Sequence, residues 1–280
     1  MSEAALAGKT KPAPTEAAPG AVERLMVLND KGGIGKSIVI HGLSLELAAA
    51  GVDHRVIEAE GNARLQRVLG PDRVLFHPLS EDSLAAIRRN PDLVAEYWDA
   101  VAEEFTAGVR LLDMGANAGT LFWNWWRSGS GRLMLGDGAG TGALVVTTAE
   151  VEAMRLAREA LARAAAEMPG ARLFVVVNEH QGAMPADHPA LDGPCEGAGR
   201  RAGEVVRIVL PRCSAPAWQA MVGMGRPLNE IATLKPQDLV PLGYRLGAAA
   251  RSVSDVVEWL DEWRPRLRRL LAAGGMIASP

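Results

Sequence analysis

The segment from Leu25 to Ser37 decides the fold, and it runs Leu25-Met26-Val27-Leu28-Asn29-Asp30-Lys31-Gly32-Gly33-Ile34-Gly35-Lys36-Ser37. Its first four residues are apolar, which is typical of a strand buried on both faces of a parallel sheet. Three glycines and two lysines follow within residues 31–37, and residues 38–50 then show a helical pattern closed by Gly51. The segment therefore predicts a glycine-rich loop between a buried strand and the N-terminus of a helix.

This glycine-rich loop has the composition of a phosphate site. Glycines allow consecutive backbone N–H groups to curl around a phosphate, and the following helix N-terminus adds positive potential. Lys36 is placed to reach the β- and γ-phosphates of a nucleotide, and the Ser37 hydroxyl to hold Mg²⁺. The usual spacing G-x-x-x-x-G-K-[ST] would put a glycine at position 30, where this chain has Asp30. The alternative interpretation is a glycine-rich turn with two incidental lysines.

Further apolar runs alternate with helical patterns along the chain. Besides residues 25–28, the predicted strands are 55–57, 109–112, 143–146, 173–177 and 205–210, and the further predicted helices are 92–106, 149–168, 214–223 and 254–272. Pro265 is expected to interrupt the last helix. The alternation predicts an α/β fold with a mostly parallel β-sheet flanked by helices on both faces, whose ligands bind at the carboxyl ends of the strands. Residues 1–21 are predicted to form a disordered tail, and residues 22–280 a single domain with a C-terminal helix.

The bulk composition excludes several classes of protein. The formal net charge of −3 argues against a nucleic-acid binder that uses its whole surface, although a local basic patch is allowed. The two cysteines, Cys195 and Cys213, have no metal-ligand spacing, so neither a disulfide framework nor a zinc or iron–sulfur site is expected. No apolar run approaches the roughly 20 residues that cross a bilayer, and no secretory signal is expected. These features favour a cytoplasmic protein. The five histidines have no catalytic spacing, and we expect most of them at the surface or in loops.

The loop motif K-G-G-x-G-K-[ST] resembles the deviant Walker A motif of the ParA/MinD ATPases, a family of plasmid-partition, division-site and cargo-positioning proteins. The resemblance implies that ATP and Mg²⁺ bind here. The nucleotide-binding residues would then be Gly32, Gly33, Ile34, Gly35, Lys36, Ser37 and Ile38. It also implies that Lys31 reaches across an ATP-sandwiched homodimer to the phosphates of the partner subunit, so that ATP drives dimerisation.

Later motifs of this family follow in the same order. Residues 111–115 resemble a Walker B strand and switch loop, in which Asp113 would hold the Mg²⁺ water shell and Gly115 would sense the γ-phosphate. The resemblance places Asn178 beside adenine, although a strand-end cap is an equally good interpretation of this residue. Pro211 and Arg212 resemble a segment near the nucleotide base. Together with Ser37, Asp113 completes the expected metal ligands.

The second strand departs from the family pattern. The family has D-x-D there, and one of those aspartates helps to position the attacking water, whereas this chain has Glu58-Ala59-Glu60. A glutamate keeps the charge but adds a methylene, a change in reach of roughly 1.5 Å that slows a reaction dependent on water position. Glu58 and Glu60 are the candidates for positioning water, with a solvated strand end as the alternative. Hydrolysis is therefore expected to be weak and stimulated by a partner.

Two regions suggest surfaces for partners. Three tryptophans, Trp123, Trp125 and Trp126, follow the switch loop, and they are expected either to form a nucleotide-dependent dimer or partner surface or to pack under the sheet. The C-terminal stretch interleaves apolar residues with arginines. Such a helix suits peripheral membrane contact or non-specific DNA phosphates, but a closing helix packed on the sheet is the favoured interpretation.

The leading hypothesis is an ATP-dependent dimerisation switch that positions or segregates a cargo, such as plasmid or chromosome DNA or a protein complex, through a protein partner or cargo adaptor. A close variant is an accessory ATPase of DNA transfer. A second hypothesis is a partner-recruiting module that binds nucleotide with little hydrolysis. A third is a carboxylate-activating, ATP-dependent synthetase of the same fold. Such synthetases generally lack a lysine at the position of Lys31, which counts against this third hypothesis.

Overall fold

The computed structural model describes residues 21–90, 92–116, 118–184 and 205–279, and its centre is a seven-stranded sheet. The strands are β1 (Arg24–Leu28), β2 (Arg55–Glu60), β3 (Val74–Pro78), β4 (Arg110–Met114), β5 (Thr141–Thr147), β6 (Arg172–Asn178) and β7 (Val205–Leu210). They lie in the order β3-β2-β4-β1-β5-β6-β7, and every neighbouring pair is parallel. The predicted α/β class is confirmed.

Helices cover both faces of this sheet. They are α1 (Lys36–Ala49), α2 (Arg64–Leu69), α3 (Glu81–Arg89), α4 (Asp92–Thr106), α5 (Ala118–Arg127), α6 (Ser130–Leu135), α7 (Val151–Glu167), α8 (Trp218–Gly223), α9 (Leu228–Ile231), α10 (Pro236–Leu239) and α11 (Leu246–Gly274). Helices α1, α2 and α8–α11 pack into the core on one face, and α3–α7 pack mainly into the core on the other. A sheet buried on both faces explains why its strands are almost continuously apolar.

Strand β1 lies at the centre of the sheet and positions the glycine-rich loop. Its residues alternate between the two cores, with Leu25 and Val27 on the α1 side and Met26 and Leu28 on the other. The chain moves to one side of β1 to form β2 and β3, and to the other side to form β5, β6 and β7. The loop after β1 therefore opens at the point where the winding direction reverses, which is where open α/β sheets bind ligands.

The predicted strands and the long central helices were found, and several shorter elements were missed. Helix α4 and strand β7 have the predicted bounds, whereas β3 and the helices α2, α3, α6, α9 and α10 were not predicted. Strand β2 extends to Glu60, so both glutamates belong to the strand and do not follow it. The predicted tail at 1–21 lies outside the described residues except for Ala21.

Helix α11 differs from the prediction, because it begins at Leu246 and continues through Pro265 as a single helix of 29 residues. Pro265 lies on the exposed face, where water can satisfy the carbonyl that the missing N–H leaves unpaired. The apolar residues of the predicted stripe are all buried against the sheet and α1, namely Trp259, Leu260, Trp263, Leu267, Leu270 and Leu271. This packing agrees with the favoured interpretation of the C-terminal stretch as a helix that closes the fold against the sheet. These buried apolar residues are not available to contact a bilayer. Among the described helices, none combines the length and apolarity that a membrane span requires.

Two arginines of α11 form ion pairs with a buried carboxylate of α1. Arg264 and Arg268 both donate from Nε to Glu46, whose side chain is 1% exposed. A third arginine, Arg266, donates to the carbonyl of Val209 at 2.6 Å and so covers the backbone of the edge strand β7. Arg264 and Arg268 therefore hold α11 to α1, and Arg266 holds it to the sheet, which leaves all three less free for DNA phosphates than the sequence suggested.

Replacing Arg264 and Arg268 together by alanine is expected to destabilise the fold by about 2–3 kcal/mol. The loss follows because Glu46 would remain buried without a cation; breaking a fully buried pair costs about 3–5 kcal/mol, and the half-exposed arginine heads reduce this figure. Urea unfolding followed by circular dichroism measures the change. Adding Glu46→Gln to the double variant should restore about half of the lost stability, whereas no restoration would show that the arginines act by packing alone.

The aromatic cluster of α5 is buried, so the interpretation as a partner surface is wrong for these rings. Trp123, Trp125 and Trp126 are each at most 3% exposed. The buried side of α5 packs into the core and against helices α4 and α6, whereas Thr120, Asn124 and Arg127 on its other side are exposed. Trp125 also donates from Nε1 to Asp99 of α4 at 2.7 Å. The cluster is the core of this face of the protein.

Two histidines expected at the surface are also buried. The Nε2 atom of His41 accepts a hydrogen bond from the backbone N–H of Leu228 at 3.2 Å, which joins α1 to α9. Burial lowers the pKa of His41 to about 4, so the ring is neutral at pH 7. His54 bonds to the Ser44 hydroxyl and to the carbonyl of Val52. Both histidines therefore serve the packing of α1.

Candidate nucleotide site

The glycine-rich loop joins the carboxyl end of β1 to the N-terminus of α1, as the sequence predicts. Gly33 and Gly35 have φ values of 76° and 92°, which favour glycine. A Cβ atom at Gly35 would lie 2.2 Å from Nδ2 of Asn178, so a side chain is also excluded by space. The loop therefore makes a tight, glycine-dependent turn directly before a helix N-terminus, which is the geometry of an anion site.

Lys36, the first residue of α1, lies inside this loop. Its side chain is 7% exposed, and Nζ donates to the backbone carbonyl of Lys31 at 2.8 Å. Burial lowers the pKa of Lys36, and the carboxylates of Asp113, Glu60 and Asp30 offset part of that effect. Its ammonium is therefore held at the centre of the loop among negative groups, where a phosphate would find a cation already desolvated.

Asp113 lies on β4 beside the loop. It is 1% exposed, and within the described residues neither carboxylate oxygen accepts a hydrogen bond of normal geometry, although the Ser37 hydroxyl lies close by. Burial raises the pKa of Asp113 to about 6, and the Ser37 hydroxyl and the Lys36 ammonium offset only part of this rise. Buried carboxylates are normally paired, so an unpaired one points to a cation that the site is built to accept.

The donor set around Asp113 suits Mg²⁺ that arrives with a nucleotide. Mg²⁺ is usually held by one or two carboxylates together with phosphate oxygens and waters. Ser37 and Asp113 supply a hydroxyl and a carboxylate next to the phosphate loop. Across the described parts of the chain, no cluster of three or more histidine, cysteine or acidic residues could hold a metal by itself. The residues present therefore fit a metal–phosphate complex better than a free metal ion.

The two glutamates of β2 have different environments. Both oxygens of Glu58 accept backbone hydrogen bonds from the first turn of α2, from Arg64 at 2.7 Å, Leu65 at 2.8 Å and Gln66 at 3.0 Å. Burial raises the pKa of Glu58, and these three bonds offset part of the rise. Glu58 therefore caps a helix. Of the two, Glu60 is the better candidate for positioning water.

Glu60 lies next to the predicted γ-phosphate sensor. A Cβ atom at Gly115 would lie 3.0 Å from Oε1 of Glu60, so the glycine lets the carboxylate approach the switch loop. The Gly115 N–H donates to the carbonyl of Ala59 at 2.9 Å, which holds the loop against the end of β2. Glu60 also lies close enough to Lys36 and Asp113 to shift the pKa of both. The structure thus brings Glu60 and Gly115 to the phosphate loop.

Lys31 points away from the phosphate loop of its own chain. Its Nζ forms an ion pair with Oε1 of Glu150 at 2.7 Å, and the two side chains are 32% and 36% exposed. Glu150 immediately precedes α7, and the next residue, Val151, is 78% exposed. A cation and an apolar side chain therefore lie together on the surface beside the site.

A cleft of about 430 Å³ extends from the loop along the ends of β6 and β7. This volume lies within the range of roughly 300–1,000 Å³ that is typical of small-molecule sites. The lining includes Gly33, Gly35, Ile38, Asn178, Pro211 and Arg212. The cleft thus brings the residues predicted near the nucleotide base together with the phosphate loop.

Within this cleft, Asn178 also supports the loop. Its Nδ2 donates to the carbonyl of Ile34 at 3.0 Å, and its Oδ1 accepts from the N–H of His180 at 3.3 Å. The strand-end interpretation of Asn178 thus describes its bonds in this structure. The carbonyl of Pro211 accepts from Nε1 of Trp259 at 2.8 Å, which fixes the backbone at the end of β7.

The cleft has an aromatic wall that was not predicted from the sequence. Trp218, Trp259 and Trp263 line it, and their rings contact one another in series at centroid distances of 4.8 Å. Trp259 and Trp263 are four residues apart and share one face of α11. That spacing predicted a packed helix, but only the long-range position of α11 brings these rings to the ligand cleft.

The chain is similar to solved structures at low sequence identity. No protein-family model matches the chain, and no curated protein matches it. The MinD cell division protein of Aquifex aeolicus is similar to this chain with 15% identity and a TM-score of 0.47, over 86% of this chain and 97% of that one. The septum site-determining protein MinD of Pyrococcus horikoshii, complexed with Mg-ADP, is similar with 18% identity and a TM-score of 0.41, over 86% of this chain and 96% of that one. We therefore base the proposed function on the geometry of this chain.

Proposed function

We propose that the protein binds ATP with Mg²⁺ and uses it as a dimerisation switch that positions or segregates a cargo. The observation that carries the proposal is the arrangement of Lys36, Ser37 and the unpaired Asp113 around one glycine-rich loop. A desolvated cation, a hydroxyl and a buried carboxylate without a partner suit a phosphate chain and its metal. The adjoining cleft provides room for the base and ribose.

The surface beside the loop supports the dimerisation part of the proposal. The side chain of Lys31 pairs with Glu150 at the surface and not with a group of its own loop, and a second subunit facing the site would meet it there. Its bond to Glu150 is an exposed ion pair, a type that contributes only about 0–1 kcal/mol, so exchanging Glu150 for a phosphate costs little. The exposed Val151 supplies apolar surface at the same place. Lys31 is thus the residue proposed to complete the site of the partner subunit.

In this proposal, hydrolysis is slow. When Mg²⁺ is bound, it neutralises charge that develops on the phosphates. The loop amides and Lys36 hold the phosphates, and Glu60 is left as the carboxylate that orients the attacking water, because Glu58 is committed to α2. A protein partner that adjusts the end of β2 would accelerate turnover. Because Glu58 caps α2 and is not free to position water, a second candidate function is also favoured, namely a partner-recruiting module that binds nucleotide with little hydrolysis.

The test is Lys31→Ala in size-exclusion chromatography with light scattering. Wild-type protein is expected to become a dimer with ATPγS and Mg²⁺ and to remain a monomer with ADP. Lys31→Ala should bind ATPγS within about threefold of wild type in calorimetry but stay monomeric, because it loses only the contact across the interface. Lys235→Ala, which removes an exposed lysine from another surface, is the matched control.

Normal dimerisation of Lys31→Ala would remove the trans-acting lysine from the proposal, and a wild type that takes up no ATP would overturn the whole function. The ATPγS-bound dimer can also be used to test whether DNA is the cargo. Retention of the ATPγS-bound form on non-specific duplex DNA, with affinity that falls steeply as salt rises, would identify DNA as the surface it uses.

A further inference from the structure

Asp30 stands where the usual phosphate-loop pattern has a glycine, and the structure turns its carboxylate toward α5. Oδ1 accepts the backbone N–H of Gly119 at 3.1 Å, and Oδ2 accepts the hydroxyl of Thr120 at 3.3 Å. We name these two hydrogen bonds the Asp30 bridge. Gly119 and Thr120 belong to the first turn of α5, whose N–H groups have no partner within the helix. A carboxylate at a helix N-terminus is also favoured by the helix dipole.

Both sides of the bridge are shaped for this contact. A Cβ atom at position 119 would lie 2.4 Å from Oδ1 of Asp30, so only glycine allows the carboxylate to come this close. On the loop side, Asn29 has a φ of 135°, and among the described residues no other non-glycine residue has a positive φ. Asn29 is held in this conformation by hydrogen bonds from Nδ2 to the carbonyls of Val146 and Ala153.

The bridge joins the two segments that a γ-phosphate would contact. The first is the phosphate loop, in which Lys36 donates to the carbonyl of Lys31, the residue after Asp30. The second is the segment from Asp113 to Gly115, which leads directly into α5. A phosphate that draws Lys36 away from the Lys31 carbonyl changes the backbone next to Asp30. Through the bridge, that change reaches the first turn of α5.

We propose that Asp30 is a positioning residue that couples the γ-phosphate state of the loop to helix α5, so that triphosphate and diphosphate forms differ at the surface between α5 and α7. This inference rests on the proposed nucleotide site and adds the route by which the presence of a γ-phosphate is transmitted to α5. The surface concerned is a groove of about 190 Å³ whose lining includes Asp30, Thr120, Trp123 and Arg163.

The test compares variants on both sides of the bridge. Asp30→Ala removes both hydrogen bonds, and Thr120→Val removes one of them from outside the phosphate loop. Asp30→Asn retains both, since an amide oxygen accepts from Gly119 and the amide N–H donates to the Thr120 hydroxyl. Calorimetry measures the affinities for ATPγS and ADP. Tryptophan fluorescence, with Trp123→Phe in each background to assign the signal, reports the groove.

We expect Asp30→Ala to reduce the preference for ATPγS over ADP about tenfold and to lose the Trp123 response to ATPγS. Thr120→Val should reduce the preference for ATPγS and the Trp123 response by a smaller factor and leave the ADP affinity unchanged. Asp30→Asn should keep most of the wild-type preference for ATPγS. An equal loss of ATPγS and ADP affinity in Asp30→Ala would show that Asp30 only shapes the loop, and an unchanged Trp123 response would show that α5 is not coupled. Failure of the wild type to bind either nucleotide would instead refute the proposed function.

Discussion

Replacing Asp113 by asparagine is expected to make the nucleotide-free protein more stable and to reduce its Mg²⁺-dependent ATP turnover by about 100-fold or more. The stability gain follows because the carboxylate is buried and, within the described residues, accepts no hydrogen bond of normal geometry. Its pKa rises from 3.8 to about 6, which corresponds to roughly 3 kcal/mol against the charged form. The amide must itself find acceptors, so we expect a net gain of about 1–2 kcal/mol. The loss of turnover follows because an amide replaces the proposed metal ligand.

The stability gain of Asp113→Asn should depend on pH. The folded-state pKa of Asp113 lies above its unfolded value, so its protonation stabilises the fold fully below about pH 3.8 and this contribution is lost as the pH rises through about 6. The difference between variant and wild type should therefore grow from pH 4.5 to pH 7.5 in urea unfolding. Asp261→Asn, at an exposed position of α11, is the control and should show no such growth. A difference that is constant over this range would contradict the assigned cost of burying the charge.

Replacing Lys36 by methionine is expected to lower the affinity for ATP by about 100-fold. Lys36 is buried in the loop with its ammonium among three carboxylates, and a charge-assisted hydrogen bond contributes up to about 3 kcal/mol. Methionine fills the same space without the charge, so the loop geometry should persist. The three carboxylates would then lack their cation, and phosphate would also meet a more negative site.

Calorimetric titration with Mg–ATP at two salt concentrations measures this effect. Lys235→Met serves as the matched control, because it removes a lysine from an exposed position of the chain. The control should bind ATP as the wild type does. Affinity for Mg–ATP within about threefold of wild type in Lys36→Met would show that the loop amides alone grip the phosphates and would remove Lys36 from the site.

The elements that the sequence predicted are those whose own residues determine them. Strand β1 is apolar on both faces and is followed by a glycine-rich loop, and α4 has an apolar stripe. Helix α2 was missed because it has only six residues and its cap comes from Glu58, a residue outside the usual capping position. The position of Pro265 predicted a break in α11, but the helix continues because this residue faces solvent and both halves pack on the sheet.

The candidate site was predictable where it is contiguous in sequence and unpredictable where it depends on long-range contacts. The loop from Lys31 to Ser37 could be recognised from the sequence, because its glycine spacing, the preceding strand and the following helix are contiguous along the chain. The sequence could not separate Glu58 from Glu60, since residues two apart on a strand share a face and only α2 distinguishes them. In the sequence, Asp30 is only a departure from the usual phosphate-loop pattern. Its proposed positioning role depends on a hydrogen bond from Gly119, 89 positions later.

The central position of β1 also determines when this protein can acquire its site during synthesis. β1 bonds to β4 and β5, which follow it by more than 80 residues, and the N–H of Val22, just before β1, donates to the carbonyl of Gly274 at the end of α11. A growing chain emerges from the ribosome in sequence order, so the glycine-rich loop leaves it long before the neighbouring strands β4 and β5 exist. Such a nascent chain should be unable to retain ATP until β5 has emerged, and the start of β1 is fastened only when α11 has followed.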